Sequence, residues 1–308
     1  MNARVRPSRM LVVALGWGSC FPLLDWGVRG SSVLWFVTWR AVIAGLALLC
    51  GVAVRRRGRG DHVVSWSFSM WGLVAALAIL NVTVGFAAMA ATVTAVTAGV
   101  ASVLGNAQAL LVVLPAWWLF GERPRVIELA GVAVGFAGLM LVAAPTGDVR
   151  GAWLALLAAA AIAAGALLAR RLAAVDVLVL GAAEFLIGAA ILAVAAVVID
   201  GSPLNGLSTR FVSAVMLLAL AGSALPYALW FGELRRASIT AVTSWTLLVP
   251  VVGLVLGVLV LGESLTVWEI VGSALVVAAM ALVATAGRAP CNRLRCWQHS
   301  GCALTECG

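Results

Sequence analysis

The chain contains no lysine, a single tyrosine and two histidines, and only 10% of its 308 residues are charged. Ordinary soluble domains carry about 25% charge, so a water-soluble fold of this length could not cover its surface. The shortage excludes a soluble enzyme, a nucleic-acid binder and a disordered scaffold as primary readings. His-Glu-x-x-His and Gly-x-Ser-x-Gly are both absent, the histidines are His62 and His299, and no two carboxylates pair within one apolar segment. An intramembrane enzyme would need such a placed nucleophile, base or metal-ligand set, so no catalytic residue, metal site or cofactor is expected. No loop is long enough for a sizeable soluble module. Without lysine, the net charge of +8 comes from arginines scattered between apolar runs, the pattern of topology determinants rather than a nucleic-acid stripe. Six cysteines do not make a disulfide framework: Cys20 and Cys50 lie in apolar runs, and four crowd the last twenty residues. The N-terminal apolar run lacks an Ala-x-Ala-type cleavage site and reads as an uncleaved first helix.

What is abundant is hydrocarbon. Hydrophobic residues make up 64% of the chain, and its mean hydropathy is +1.12. Polar punctuation leaves ten apolar segments, at about 9–28, 32–54, 68–89, 93–120, 125–144, 151–170, 176–199, 210–231, 237–261 and 266–287. A spanning helix consumes roughly 20 such residues, and only helices satisfy their backbone in lipid when strands do not alternate. The fold class expected is an all-α integral membrane protein with ten transmembrane helices in two inverted five-helix repeats. With a cytoplasmic N-terminus, the inside segments collect sixteen arginines, including Arg55, Arg56, Arg57, Arg235 and Arg236, while the outside loops collect Arg29, Arg150 and Arg210. Both termini are therefore placed in the cytoplasm and the chain in the cytoplasmic membrane.

The repeat is visible directly. Gly121, Glu122, Val126, Glu128 and Gly131 recur as Gly262, Glu263, Val267, Glu269 and Gly272 at a constant offset of 141. Five spans per half force the second copy to enter the membrane upside down. The copies carry matching charge: GERPRVIE has two arginines and reads inside, and GESLTVWE has none and reads outside. The boundaries expected are a first repeat at 1–148, a second at 149–288 and a tail at 289–308. Inverted repeats place a substrate path at their interface near the midplane and support alternating access.

These features, with Trp-Gly-Ser-Cys-Phe at 17–21, Trp39-Arg40 in the second span and the two Gly-Glu segments, resemble the ten-span drug/metabolite transporter superfamily, specifically its EamA-type exporters. The resemblance covers about residues 8–287 and implies a secondary transporter for a small metabolite, amino acid or drug-like compound, moved outward. It also implies a central cavity lined by spans 3, 4, 8 and 9. An importer of the same fold and a non-transporting scaffold are the alternatives. The chain departs from the family pattern at Ala109, where a proline is usual, and at Ala161-Ile162, which replaces a second Trp-Gly.

Nine residues are the substrate-binding candidates. Asn81, Asn106, Gln108 and Tyr227 are polar groups inside spans, and an unsatisfied amide in hydrocarbon costs roughly 4–8 kcal/mol. Helix–helix hydrogen bonding competes with a cavity role for each. Trp17, Trp230 and Trp245 lie deep enough to stack on a ligand, with core packing the competing role. Arg40 and Glu184 are the only charged side chains deep inside spans, and VLWFVTWR aligns with VLVLGAAE so that they occupy the same position at offset 144. Each costs roughly 2.5–3.5 kcal/mol at the bilayer centre, so each should face protein or a hydrated cavity. Arg40 suits a carboxylate and Glu184 an amine or proton, unless the two are neutralised separately. Protons are the candidate coupling ion, and the bilayer and a small-molecule substrate are the partners, with no nucleic acid. Glu122 and Glu263 read as structural groups at span ends, Thr266 and Glu269 as a capping box, and Pro226 and Pro250 as breaks that free carbonyls. The tail pattern Cys291, Cys296, His299, Cys302, Cys307 matches no standard zinc spacing. It reads as a disordered segment, with metal binding the competing reading.

Overall fold

A computed structural model describes residues 5–57, 67–111, 125–144, 149–172, 175–203, 207–234 and 244–286, with positions 115, 118, 119 and 242 between them. Those residues form helices, and among them no strand occurs. The protein is an all-α, multi-spanning helical bundle. Ten helical runs follow in order: α1 (Pro7–Val28), α2 (Val33–Arg57), α3 (Phe68–Thr92), α4 (Ala98–Gly105), α5 (Val126–Ala143), α6 (Val149–Ala169), α7 (Val177–Ile199), α8 (Thr209–Trp230), α9 (Leu248–Leu261) and α10 (Val267–Ala286). Seven of them, all but α4, α9 and α10, are long and apolar enough to cross a membrane. The expected fourth span is broken at Asn106, whose side-chain amide donates to the Ser102 carbonyl at 2.7 Å and ends α4; one more turn follows at Gln108–Leu111. Glu122, Pro124, most of 112–124, residues 235–241 and the tail lie outside the described residues.

Side chains written at the helix starts set the boundaries. Ser67, Thr97, Asp176 and Ser208 each accept a backbone N–H one turn into α3, α4, α7 and α8. Thr266 and Glu269 form the capping box: Glu269 accepts from the Thr266 amide at 2.6 Å, and the Glu269 amide donates to the Thr266 hydroxyl at 3.3 Å. Glu263 caps a helix from the other half of the chain. Its two oxygens accept the Ala98 and Gly99 amides of α4 at 2.6 and 2.9 Å, so the span-end carboxylate is used structurally.

Packing places α2 against α7, α4 against α9 and α5 against α10, while α1 packs on α8 and α3 on α6. Close approach at the α5–α10 crossing depends on glycine at two facing positions. A Cβ on Gly138 would sit 2.7 Å from the Gly272 carbonyl, and one on Gly272 would sit 2.6 Å from that of Gly138. Large apolar side chains such as Val198, Leu259 and Met140 point outward, as lipid rather than water demands.

Candidate functional site

Among the described residues, two helices widen to π geometry at their centres. In α3 a π-helical stretch runs Ala78–Val84, and in α8 another runs Leu220–Ala224. Such bulges expose backbone and redirect side chains, and they cluster at functional sites. In α8 the cause is local. Pro226 has no N–H for the Gly222 carbonyl four residues back, and that carbonyl instead accepts the Cys20 thiol at 3.6 Å. The approach of α1 that makes this contact needs Gly16, where a Cβ would lie 2.3 Å from the Ala221 carbonyl. The bulge also turns Ser223 inward, its hydroxyl donating to the Leu218 carbonyl at 3.0 Å.

Arg40 reaches this bulge from α2. Its Nε donates to the Ser223 oxygen at 3.0 Å and its Nη2 to the Cys20 sulfur at 3.6 Å. The Phe86 ring covers the guanidinium face at 3.9 Å. The residue is 3% exposed, and its Nη1 has no partner among the described residues. Glu184 reaches the other bulge from α7: Asn81 Nδ2 donates to its Oε1 at 2.8 Å, and Glu184 is 4% exposed. Asn81 is held in turn against α6, where a Cβ on Gly165 would meet its Oδ1 at 1.9 Å.

Both arrangements line one cavity of about 240 Å³. Trp17, Arg40, Asn81, Asn106, Gln108, Glu184 and Tyr227 are in its wall, together with Cys20, Phe86 and Ser223. Most of the remaining surface is apolar, including Phe21, Met89, Ile162 and Phe185. Gln108 brings a buried Oε1 with no partner among the described residues. Trp230 and Trp245 are not in the wall. They cluster with Met10, Val13 and Trp17, whose ring centroid lies 5.2 Å from that of Trp230. Beyond them Glu233, fully buried, accepts the Arg6 amide at 3.2 Å and pairs with Arg9 at 3.1 Å.

Sequence reasoning missed Cys20, Phe86 and Ser223. A signal for one of them existed: Phe86 is the counterpart of Tyr227 at the repeat offset of 141, at which Asn81 falls on Gly222, one residue before Ser223. The consequence is a repeated contact with exchanged halves. Arg40 of α2 bonds Ser223 of α8, and its equivalent Glu184 of α7 bonds Asn81 of α3. Among the described residues no group of three or more His, Cys, Asp or Glu could hold a metal ion.

Comparison with known proteins places this architecture. A WAT1-related chloroplastic protein of Arabidopsis thaliana is 28% identical over 87% of this chain and 66% of its own length, just under two thirds. The uncharacterized inner membrane transporter YedA of Escherichia coli strain K12 is 29% identical over 87% of this chain and 86% of its own. A solved crystal structure at 22% identity shares the fold, with a TM-score of 0.66 over 92% of this chain and 99% of that one. The sequence model of the EamA-like transporter family matches residues 9–144 and again 149–285, so the chain, a non-enzymatic membrane transporter, belongs to that family.

Proposed function

We propose that the chain is a ten-span secondary transporter of two inverted repeats, 1–148 and 149–288, exporting a small organic compound by alternating access. Both termini are cytoplasmic in this reading, and 289–308 is a cytoplasmic tail. The packing supports the inverted repeat: exchanging helix n with helix n + 5 leaves the α2–α7, α4–α9 and α5–α10 contacts in place and converts α1–α8 into α6–α3. The matched π-helical stretches in α3 and α8 support it too.

The observation that carries the transport reading is the pair of buried charges, Arg40 and Glu184, on one cavity at the contact between the halves. Membrane proteins bury ionisable groups where substrates or ions move. The substrate-binding residues proposed are Trp17, Arg40, Asn81, Asn106, Gln108, Glu184 and Tyr227 in the wall, with Trp230 and Trp245 supporting Trp17. A cavity of about 240 Å³ is below the ~300–1,000 Å³ of drug-sized pockets, which favours a metabolite or amino acid over a larger drug. Protons are the coupling ion in this reading, exchanged at Glu184 as cargo leaves. Purified protein in liposomes, scanned with radiolabelled small metabolites under an imposed pH gradient, tests it. Glu184→Gln should abolish flux or make it indifferent to the gradient. Unchanged rate and pH dependence in that variant would place the transport site elsewhere.

A further inference from the structure

The repeat is broken where α6 meets α3. In the other half, Gly16 of α1 lies so close to α8 that a Cβ on it would sit 2.3 Å from the Ala221 carbonyl. At the repeat offsets of 144 and 141 those two positions become Ala160 and Leu80. Here the larger side chains line a groove of about 520 Å³ instead of a close contact. We propose that this groove binds one anionic phospholipid, with an acyl chain lying along α6 and the phosphate held by Arg171. The site is separate from the central cavity and shares no lining residue with it. One helix serves both: α6 gives Ala158 and Ile162 to the cavity and Ala160, Ala163 and Ala164 to the groove.

Length, polarity and charge each select that occupant. From Ala160 to Arg171 a helix rises about 16 Å, close to half of a hydrocarbon core of roughly 30 Å. The groove therefore has the reach of an acyl chain from one leaflet. Its wall is apolar up to the arginine: Leu167 and Leu168 continue the alanine face, and Leu111, Pro115 and Leu119, from the stretch after α4, complete it. Arg171 is exposed and forms no ion pair among the described residues. The next acid along the chain, Asp176, is held by Arg55. A guanidinium matches a phosphate with two parallel hydrogen bonds. In the proposed topology this end of α6 is cytoplasmic, the side where the membrane surface carries anionic lipid and where basic pockets between spanning helices hold such headgroups. A free phosphate would leave the apolar wall uncovered. A second copy of the chain would bring its own arginine-rich cytoplasmic segments against Arg171, a like-charge contact.

The test titrates delipidated full-length protein in detergent with phosphatidylglycerol, reading binding from the shift of the thermal unfolding midpoint. Phosphatidylcholine is the zwitterionic control and glycerol phosphate the control without a chain. Phosphatidylglycerol should bind about ten-fold more tightly than phosphatidylcholine, as expected for one charged hydrogen-bonded contact added to the same chain burial. Glycerol phosphate should not stabilise. Arg171→Gln should bring phosphatidylglycerol down to the phosphatidylcholine level, and Ala164→Phe, which fills the groove, should weaken both lipids. Equal binding of the two lipids, an Arg171→Gln variant as selective as the wild type, or glycerol phosphate matching phosphatidylglycerol would each overturn the site. If Ala164→Phe does not fold, native mass spectrometry carries that arm. One phosphatidylglycerol retained per wild-type chain and lost from Arg171→Gln is expected, and a lipid that stays on the variant refutes the proposal. Lipid-free pairs of chains that Ala164→Phe separates would make the groove a self-interface and refute it as well. The titration does not depend on orientation, so reversed labelling of the loops would retire the proposed topology and change the leaflet without touching the lipid selectivity.

Discussion

Replacing Glu263 by alanine removes the acceptor that holds the N-terminal end of α4. Its two carboxylate oxygens meet the Ala98 and Gly99 amides at 2.6 and 2.9 Å, across 165 and 164 residues of chain. Space for it is reserved: a Cβ on Gly257 would fall 2.3 Å from its Oε2. The helix it caps has only eight residues before Asn106 ends it, so few hydrogen bonds of its own offset the loss. A hydrogen bond to a charged group contributes about 1.5–3 kcal/mol when buried, and a carboxylate at a helix N-terminus about 0.3–1 kcal/mol more. Glu263 is half-buried and water can replace part of what is lost, so we expect roughly 2–4 kcal/mol for Glu263→Ala, below the roughly 3–7 kcal/mol of the summed terms. That corresponds to a fall in melting temperature on the order of 5–10 °C, read by size-exclusion chromatography after heating in detergent. Glu263→Gln keeps one acceptor oxygen and should fall about half as far. The refuting results are clear. An alanine variant melting with the wild type would mean that the amides are satisfied by solvent. A glutamine variant that melts normally but no longer transports would mean that this carboxylate carries protons.

Three further outcomes are expected. Burial pushes the Asp176 carboxyl up, but the Arg55 guanidinium and the Val179 and Leu178 amides outweigh it and hold it below its ordinary 3.8. A depressed folded value contributes stability that is full above the unfolded value and lost as pH falls through the folded one. Asp176→Asn should therefore flatten the acid limb of thermal stability below about pH 4, and an unchanged limb would refute the role. Cysteine introduced at Ser67 should be labelled by impermeant reagents from the cytoplasmic side and at Ser202 from the outside; labelling of both from one side would defeat the inverted topology. Deleting 289–308 should leave insertion and flux nearly unchanged, and loss of flux with normal expression would turn attention to zinc in the Cys/His tail.

Seven of the ten expected spans were legible because insertion into lipid leaves the sequence little choice: about twenty apolar residues or no crossing. Legibility failed where a helix yields to a local bond. The fourth span looks continuous by hydropathy, but Asn106 spends its amide on Ser102 and closes α4 early. The π-helical stretches have no hydropathy signal at all, since one extra residue per turn changes register without changing composition. Pro226 alone hinted at the second, by leaving the Gly222 carbonyl without its usual donor. Trp230 and Trp245 show the limit from the other side. Depth in a span identifies a tryptophan as buried, but only the packing of the helices decides that Trp17 reaches the cavity wall while Trp230 and Trp245 do not.

Arg40 and Glu184 could be aligned from sequence, yet their partners could not, because each bond crosses between halves and requires knowing that α2 reaches α8 and α7 reaches α3. What the structure adds is the reason one duplicated position accepts opposite charges. The partner on each bulge is an amphoteric neutral group: the Ser223 oxygen accepts from a guanidinium, and the Asn81 amide donates to a carboxylate. A charged partner would have fixed the sign and cancelled it in place. A neutral one orients the charge and leaves its field uncompensated inside the membrane, at a cost of roughly 2.5–3.5 kcal/mol for each residue. Such a cost is recovered at Arg40 by an anionic group and at Glu184 by a cation or by the proton exchanged there.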